Sequence, residues 1–138
     1  MKPENIFVAE DEKGEIVLKI GDFGSSKKES ILNTEYVGTR MYADPLTENS
    51  GEYTKKCDIY SLGLIFYFLL IGKHMFEGFL YVNKIEFENK KRELFFYYET
   101  LFPESTEDFV KYVILVCLKK ESERETIQGI IQKLECEI

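Results

Sequence analysis

Between Asp58 and Ile71 the chain is apolar nearly all round, with Ser61 and Gly63 the small breaks in a run of Ile, Leu, Phe and Tyr. A helix of this composition has no polar face to offer water, so other elements must wrap it on most sides. Its longest apolar stretch, Leu62 to Ile71, is too short to cross a bilayer, which takes about 20 residues. Thr54 or Asp58 can cap its start, and Gly72 stands where a glycine commonly ends a helix. The chain must therefore build a body around one central helix. Its 138 residues, 44% hydrophobic with 11 Phe and 9 Tyr, supply one domain or one lobe of a larger one.

The rest divides unevenly. Ile6–Ala9 and Ile16–Ile20 are short β-branched runs around a polar turn, Glu10 to Glu15, and read as a β-hairpin. Gly21 to about Asn49 loses apolar periodicity and reads as a long surface loop, a length that is usually functional. Phe76 to Tyr98 has weak helical spacing. Ser105 opens a helix through about Leu118, with Phe109, Val113, Val116 and Cys117 inward. Glu123 to Leu134 reads as a last helix, with Ile127, Ile130, Ile131 and Leu134 inward. The expected class is α+β, mainly α.

Charge and cysteines narrow the function. Lys plus Arg number 18 and Asp plus Glu 25, giving −7, which argues against nucleic acid or an anionic membrane as partner. Cys57, Cys117 and Cys136 are odd in number and form no C-x-x-C pair, so neither a disulfide scaffold nor a thiolate zinc site is expected. Met1 to Asn5 shows no apolar signal region, and the expected location is cytoplasmic or otherwise intracellular, the nucleus included.

Four motifs carry the chemistry: Lys2-Pro3-Glu4-Asn5 entering the first strand, Gly21-Asp22-Phe23-Gly24 leaving the second, Gly38 to Pro45 in the loop, and Asp58 to Gly63 opening the buried helix. A carboxylate and an amide are hard oxygen ligands suited to Mg²⁺. Antiparallel pairing brings the two ends of a hairpin together, so Asn5 and Asp22 can converge on one ion although seventeen positions separate them. Lys2 can neutralise a transferring phosphoryl group, and Gly24 lets the chain turn sharply after Phe23.

Taken in this order, the motifs resemble the C-terminal lobe of a eukaryotic serine/threonine protein kinase over essentially all of residues 1–138. The resemblance implies ATP and Mg²⁺ as cofactors and a protein Ser/Thr substrate. It makes Asn5 and Asp22 the metal ligands, Lys2 the catalytic-loop lysine, and Gly38 and Thr39 the substrate-seating loop. It makes Asp58 the helix-initiating residue that holds the catalytic-loop backbone, and Thr34 and Thr39 candidate phosphosites with Lys27 and Lys28 near. Asn5-Ile6-Phe7, Lys19 to Gly24 and Asp58 to Ile65 resemble the stress-activated kinases of the translation initiation factor.

The departures are equally specific. The family's general base lies two residues before the catalytic-loop lysine, and Lys2 is preceded only by Met1. The Gly-rich loop, its strand lysine and that lysine's partner glutamate belong to an N-terminal lobe that is not in this sequence. The expectation is a fragment or shortened gene model, inactive alone, whose central helix lacks a family neighbour and leaves apolar surface uncovered. The family's Ala-Pro-Glu reads Asp44-Pro45-Leu46, so Arg124 keeps its position and loses its usual carboxylate, with Glu48 the substitute considered. Lys90-Lys91-Arg92 reads as a solvated face, and His74 as a packed or surface histidine. The rival function is a degenerate pseudokinase lobe that binds the missing lobe or another protein; an unrelated helical protein is the third reading.

Overall fold

The computed structural model describes residues 1–23, 41–45, 54–79, 82–94 and 97–137. A 3-10 turn at Pro3–Asn5 leads into β1 (Ile6–Glu10), which pairs antiparallel with β2 (Ile16–Ile20) from Ile6 opposite Ile20 to Glu10 opposite Ile16. Asp11 organises the tip: its carboxylate accepts the Lys13 and Glu15 amides at 2.8 and 2.9 Å. Period-two alternation puts Val8, Ile16, Leu18 and Ile20 on one face, and all four are more than half exposed.

The remainder is helical: α1 (Lys55–Ile71), α2 (Lys84–Leu94), α3 (Asp108–Leu118) and α4 (Ile127–Glu137), with 3-10 turns between them. Helix α1 is the axis, as its composition requires. Cys57, Tyr60, Leu64 and Ile65 are almost fully buried, and Gly72 closes the helix at φ 74°. Thr54 occupies the cap position, yet its hydroxyl goes to the Glu121 carboxylate instead of the helix backbone. Asp58 lies inside the first turn, where a negative charge suits the helix dipole.

One core joins Tyr60, Leu64, Ile65 and Tyr67 of α1 to Met41, Tyr42, Phe76, Phe87, Ile114 and Leu118. A second joins Ile59 to Val113, Val116, Cys117 and Ile130. Helices α1 and α3 cross so closely at Gly63 that a Cβ there would lie 2.6 Å from Cys117 Cβ. The covering of α1 is incomplete: Leu69 is 70% exposed. An apolar groove of about 300 Å³ lies between Phe66, the α3 residues Phe109, Val110, Val113 and Ile114, and Leu134.

Three sequence expectations change. The last helix starts at Ile127 rather than Glu123, because Glu121–Glu123 forms a 3-10 turn and Arg124 is extended. On that helix Ile130 is buried, whereas Ile127 and Ile131 are substantially exposed. The expected surface loop is not superficial throughout, since Met41, Tyr42, Asp44 and Pro45 are buried, the first two in the core with α1.

Candidate functional site

The hairpin places the two proposed ligands at one end. Ile6 pairs with Ile20, and the Gly21 N–H donates to the Asn5 carbonyl at 2.8 Å, so the ladder runs up to the residue before Asp22. Asn5 ends the 3-10 turn, its own N–H bonded to the Lys2 carbonyl at 3.1 Å. That turn ties Lys2, half-buried, to the same mouth. Asp22 is exposed and has φ 55°, a left-handed conformation unique to it among non-glycine residues described. Such backbone costs about 1–2 kcal/mol for an L-residue, and Asp tolerates it better than most. A Cβ at Gly21 would meet the exposed Phe7 ring at 2.4 Å, so any larger residue there would require that ring to move.

One carboxylate and one amide oxygen are a sparse donor set. Among the described residues no group of three or more His, Cys, Asp or Glu side chains is placed to hold a metal. The set fits Mg²⁺ held with water and phosphate oxygens rather than an all-protein cage.

The second region is Met41–Pro45. Arg124 does not lack a carboxylate: its Nη1 lies 2.5 Å from Asp44 Oδ2, and both side chains are 1% exposed. Among the described residues the partner is Asp44, before Pro45; Glu48, the substitute considered from sequence, lies outside them. The same guanidinium donates to the Lys56 carbonyl at 2.6 Å and to the Lys119 carbonyl through Nε and Nη2 at 3.1 and 2.8 Å. It also lies over the Tyr60 ring at 5.1 Å. One cation thus links the loop, the first turn of α1 and the end of α3. Sequence reasoning overlooked Asp44 because it followed the family's position rather than asking which nearby acid could reach.

Lys91 is a second correction. It is 0% exposed, not solvated, and its ammonium donates to the Ala43 carbonyl at 3.0 Å. The Phe87 and Phe76 rings flank it at 4.9 and 5.8 Å. Ser61 Oγ donates to the neighbouring Tyr42 carbonyl at 2.8 Å. The Tyr42 hydroxyl is hydrogen-bonded to His74 Nδ1 at 2.5 Å, and burial, with the Glu4 charge second, raises its pKa. His74 stacks on Phe68 at 4.5 Å, a packed histidine.

Asp58, largely exposed, lies 3.6 Å from the Met1 amino nitrogen, which is also 3.4 Å from Ser61 Oγ. Helix α1 therefore touches the backbone just ahead of Lys2. Gly24, Lys27, Lys28, Thr34, Gly38, Thr39, Leu46 and Glu48 lie outside the described residues. Among those described, no helix is long and apolar enough to cross a membrane.

The protein kinase domain family model matches residues 1–134. A probable serine/threonine-protein kinase of Dictyostelium discoideum is 34% identical over 98% of this chain and 18% of its own length. The human MAPK/MAK/MRK overlapping kinase is 40% identical over 62% of the chain and 19% of its own length. The fission yeast G2-specific protein kinase fin1 is 35% identical over 60% of the chain and 11% of its own length. The chain spans less than a fifth of each of these relatives. With a match running from the hairpin mouth through α1 and into α4, the chain belongs to the protein kinase family.

Proposed function

We propose that these residues form the C-terminal-lobe part of a serine/threonine protein kinase domain, and that the hairpin mouth is its magnesium–nucleotide site. The observation that carries this reading is the hydrogen bond from Gly21 to Asn5, which brings the residues flanking both strands to one place. Asn5 and Asp22 hold the metal, and the left-handed backbone at Asp22 is a strain of the kind found at ligand sites. When bound, Mg²⁺–ATP supplies the transferable phosphoryl group with its charge partly neutralised. Lys2, at the same mouth, steadies the γ-phosphate. Gly38 and Thr39 seat the protein substrate, Asp58 braces the backbone ahead of Lys2, and Thr34 and Thr39 are candidate phosphosites. The phrases that resemble the translation-initiation-factor stress kinases are the sequence support for that branch of the family.

No Asp precedes Lys2 in this sequence, and it has no Gly-rich clamp. General-base and electrostatic contributions to the rate are therefore missing from residues 1–138, which are expected not to transfer phosphate by themselves. The test is magnesium-dependent nucleotide binding by the full-length gene product, followed with a fluorescent ATP analogue. Asp22→Ala should weaken binding in magnesium and change little in chelator. Equal affinity of parent and variant in magnesium would refute the metal role.

A non-catalytic interaction module is the second reading. Leu46 after Pro45 favours it on sequence, but the pair between Asp44 and Arg124 removes that argument. The exposed apolar face of the hairpin still favours it.

A further inference from the structure

The chain has a single histidine, His74, and it stands against the buried end of the loop. Its ring stacks on Phe68 of α1 at 4.5 Å and 11°, and it meets the Tyr42 ring edge-on at 5.8 Å. Its Nδ1 lies 2.5 Å from the Tyr42 hydroxyl. Tyr42 is 5% exposed and is held at two points, the hydroxyl by His74 and the carbonyl by Ser61 of α1. Which atom carries the shared hydrogen follows from what else is in reach. The phenol keeps its proton at neutral pH, because burial and then the Glu4 charge disfavour the phenolate. Among the described residues Nδ1 is the hydroxyl's hydrogen-bond partner, so an N–H at Nδ1 would leave the phenolic hydrogen buried without an acceptor. The hydroxyl therefore donates, Nδ1 accepts, and the neutral ring carries its hydrogen on Nε2.

We propose that this bond is a proton-controlled latch on residues 41–45: neutral His74 holds Tyr42, and a proton taken up from solvent at Nδ1 releases it. Imidazole is the ordinary side chain that changes charge between about pH 5 and 8. Once Nδ1 carries a hydrogen, the lone pair that accepted the hydroxyl is occupied. The hydroxyl is left to accept, and its own hydrogen loses its acceptor in a site with little water. On the α1 side His74 meets Phe68, which is uncharged and whose ring face attracts a cation. The protonated ring therefore stays on α1, and Tyr42 is the side that moves. The charged groups around the pair are Glu4, which acts on Tyr42, and the exposed Lys73 and Glu77 of the same turn as His74, the Glu77 N–H donating to the His74 carbonyl at 3.1 Å. Neither Asn5 nor Asp22 takes part, so the latch and the magnesium-site reading stand or fall separately.

The test is amide hydrogen exchange by mass spectrometry on the whole chain at pH 7.0 and 5.0, expressed as protection factors so that the intrinsic pH dependence of exchange cancels. On acidification, peptides covering 41–45 should lose roughly fivefold in protection or more, while peptides covering 113–118 stay within about twofold. His74→Asn places an acceptor that does not titrate near the position of Nδ1 and should abolish the difference between the two pH values. Tyr42→Phe loses the hydroxyl and keeps the ring; it should be as loose at pH 7.0 as the parent is at pH 5.0, with no response to acid. Terminal amino groups also change charge near neutrality, and the Met1 nitrogen lies 3.4 Å from Ser61 Oγ. A response that persists in His74→Asn belongs to such a group and overturns the inference. Unchanged protection at 41–45 in the parent overturns it too, as does equal loss at 113–118. Ring nitrogen signals from ¹⁵N-labelled histidine at pH 7.0 give a readout that needs no variant: Nε2 should carry the hydrogen, and a hydrogen on Nδ1 refutes the latch.

Discussion

Asp44→Asn offers the sharpest test of how the loop is anchored. The substitution keeps shape and one acceptor oxygen but removes the charge facing Arg124. Both side chains are 1% exposed and 2.5 Å apart, so little water is available to replace the lost carboxylate. Removing one partner of a buried pair costs about 3–5 kcal/mol. Arg124 retains the Lys56 and Lys119 carbonyls and the Tyr60 ring, which places the expected cost at the low end, about 3 kcal/mol. With a urea dependence of about 1.5 kcal/mol per M, the unfolding midpoint should fall by about 2 M. The measurement is urea denaturation followed by tyrosine fluorescence at low micromolar protein. Asp108→Asn is the control, since its pair with Lys111 at 3.4 Å has a fully exposed carboxylate and should leave the midpoint in place. Adding Leu46→Glu to Asp44→Asn should recover at least half of the loss, because the family places its carboxylate there. A fall of less than about 0.3 M in Asp44→Asn would show that the pair does not anchor the loop.

Gly63→Ala should lower the same midpoint by an amount equivalent to about 1–3 kcal/mol, because its Cβ would press on Cys117 and Leu118 where the helices cross; no change would mean that α1 and α3 separate freely. Replacing Val8, Ile16 and Leu18 together with Thr should raise the soluble yield without lowering the midpoint, since these side chains are uncovered; a large destabilisation would show that they pack. Cys136 is exposed while Cys57 and Cys117 are buried, so a thiol reagent should modify one cysteine in the native chain and three after unfolding. Burial pushes the Cys117 thiol from 9.0 up to about 12, and it raises Cys57 and Tyr67 as well. The folded state then keeps protons that the unfolded state releases. Stability should be full below pH 9 and decline as pH climbs from 9 towards 12; a flat urea midpoint over that range would contradict the burial.

The elements with strong local signals were legible before any coordinates. The β-branched runs flanking a polar turn located the hairpin, and the unbroken apolar stretch located the central helix, with its end at Gly72. Hairpin geometry alone anticipated that Asn5 and Gly21, the residue before Asp22, would meet at one end. Contacts between residues distant in sequence were not legible. Arg124 and Asp44 are eighty positions apart, and nothing local marks either as buried. Lys91 sits between two other cations, a pattern that normally faces water; the Phe76 and Phe87 rings that enclose it become visible only once α2 has docked. The start of α4 was misplaced because Glu123, Arg124 and Glu125 suit a helix by composition, whereas the bonds of Arg124 to Lys119 and Lys56 require an extended backbone at that point.

If the anchoring acid once stood at position 46, as the family resemblance implies, its present place before Pro45 restricts the order in which the two positions changed. Had Leu46 replaced a glutamate first, the guanidinium would have been stranded in the interior, at a cost of about 3–5 kcal/mol. A small domain has about 5–15 kcal/mol in total, so few such intermediates would stay folded. An acid at position 44 arriving first gives a chain with two candidate partners for one arginine, from which either can be discarded. The requirement at this anchor attaches to a location in space, and the residue number that meets it is free to drift.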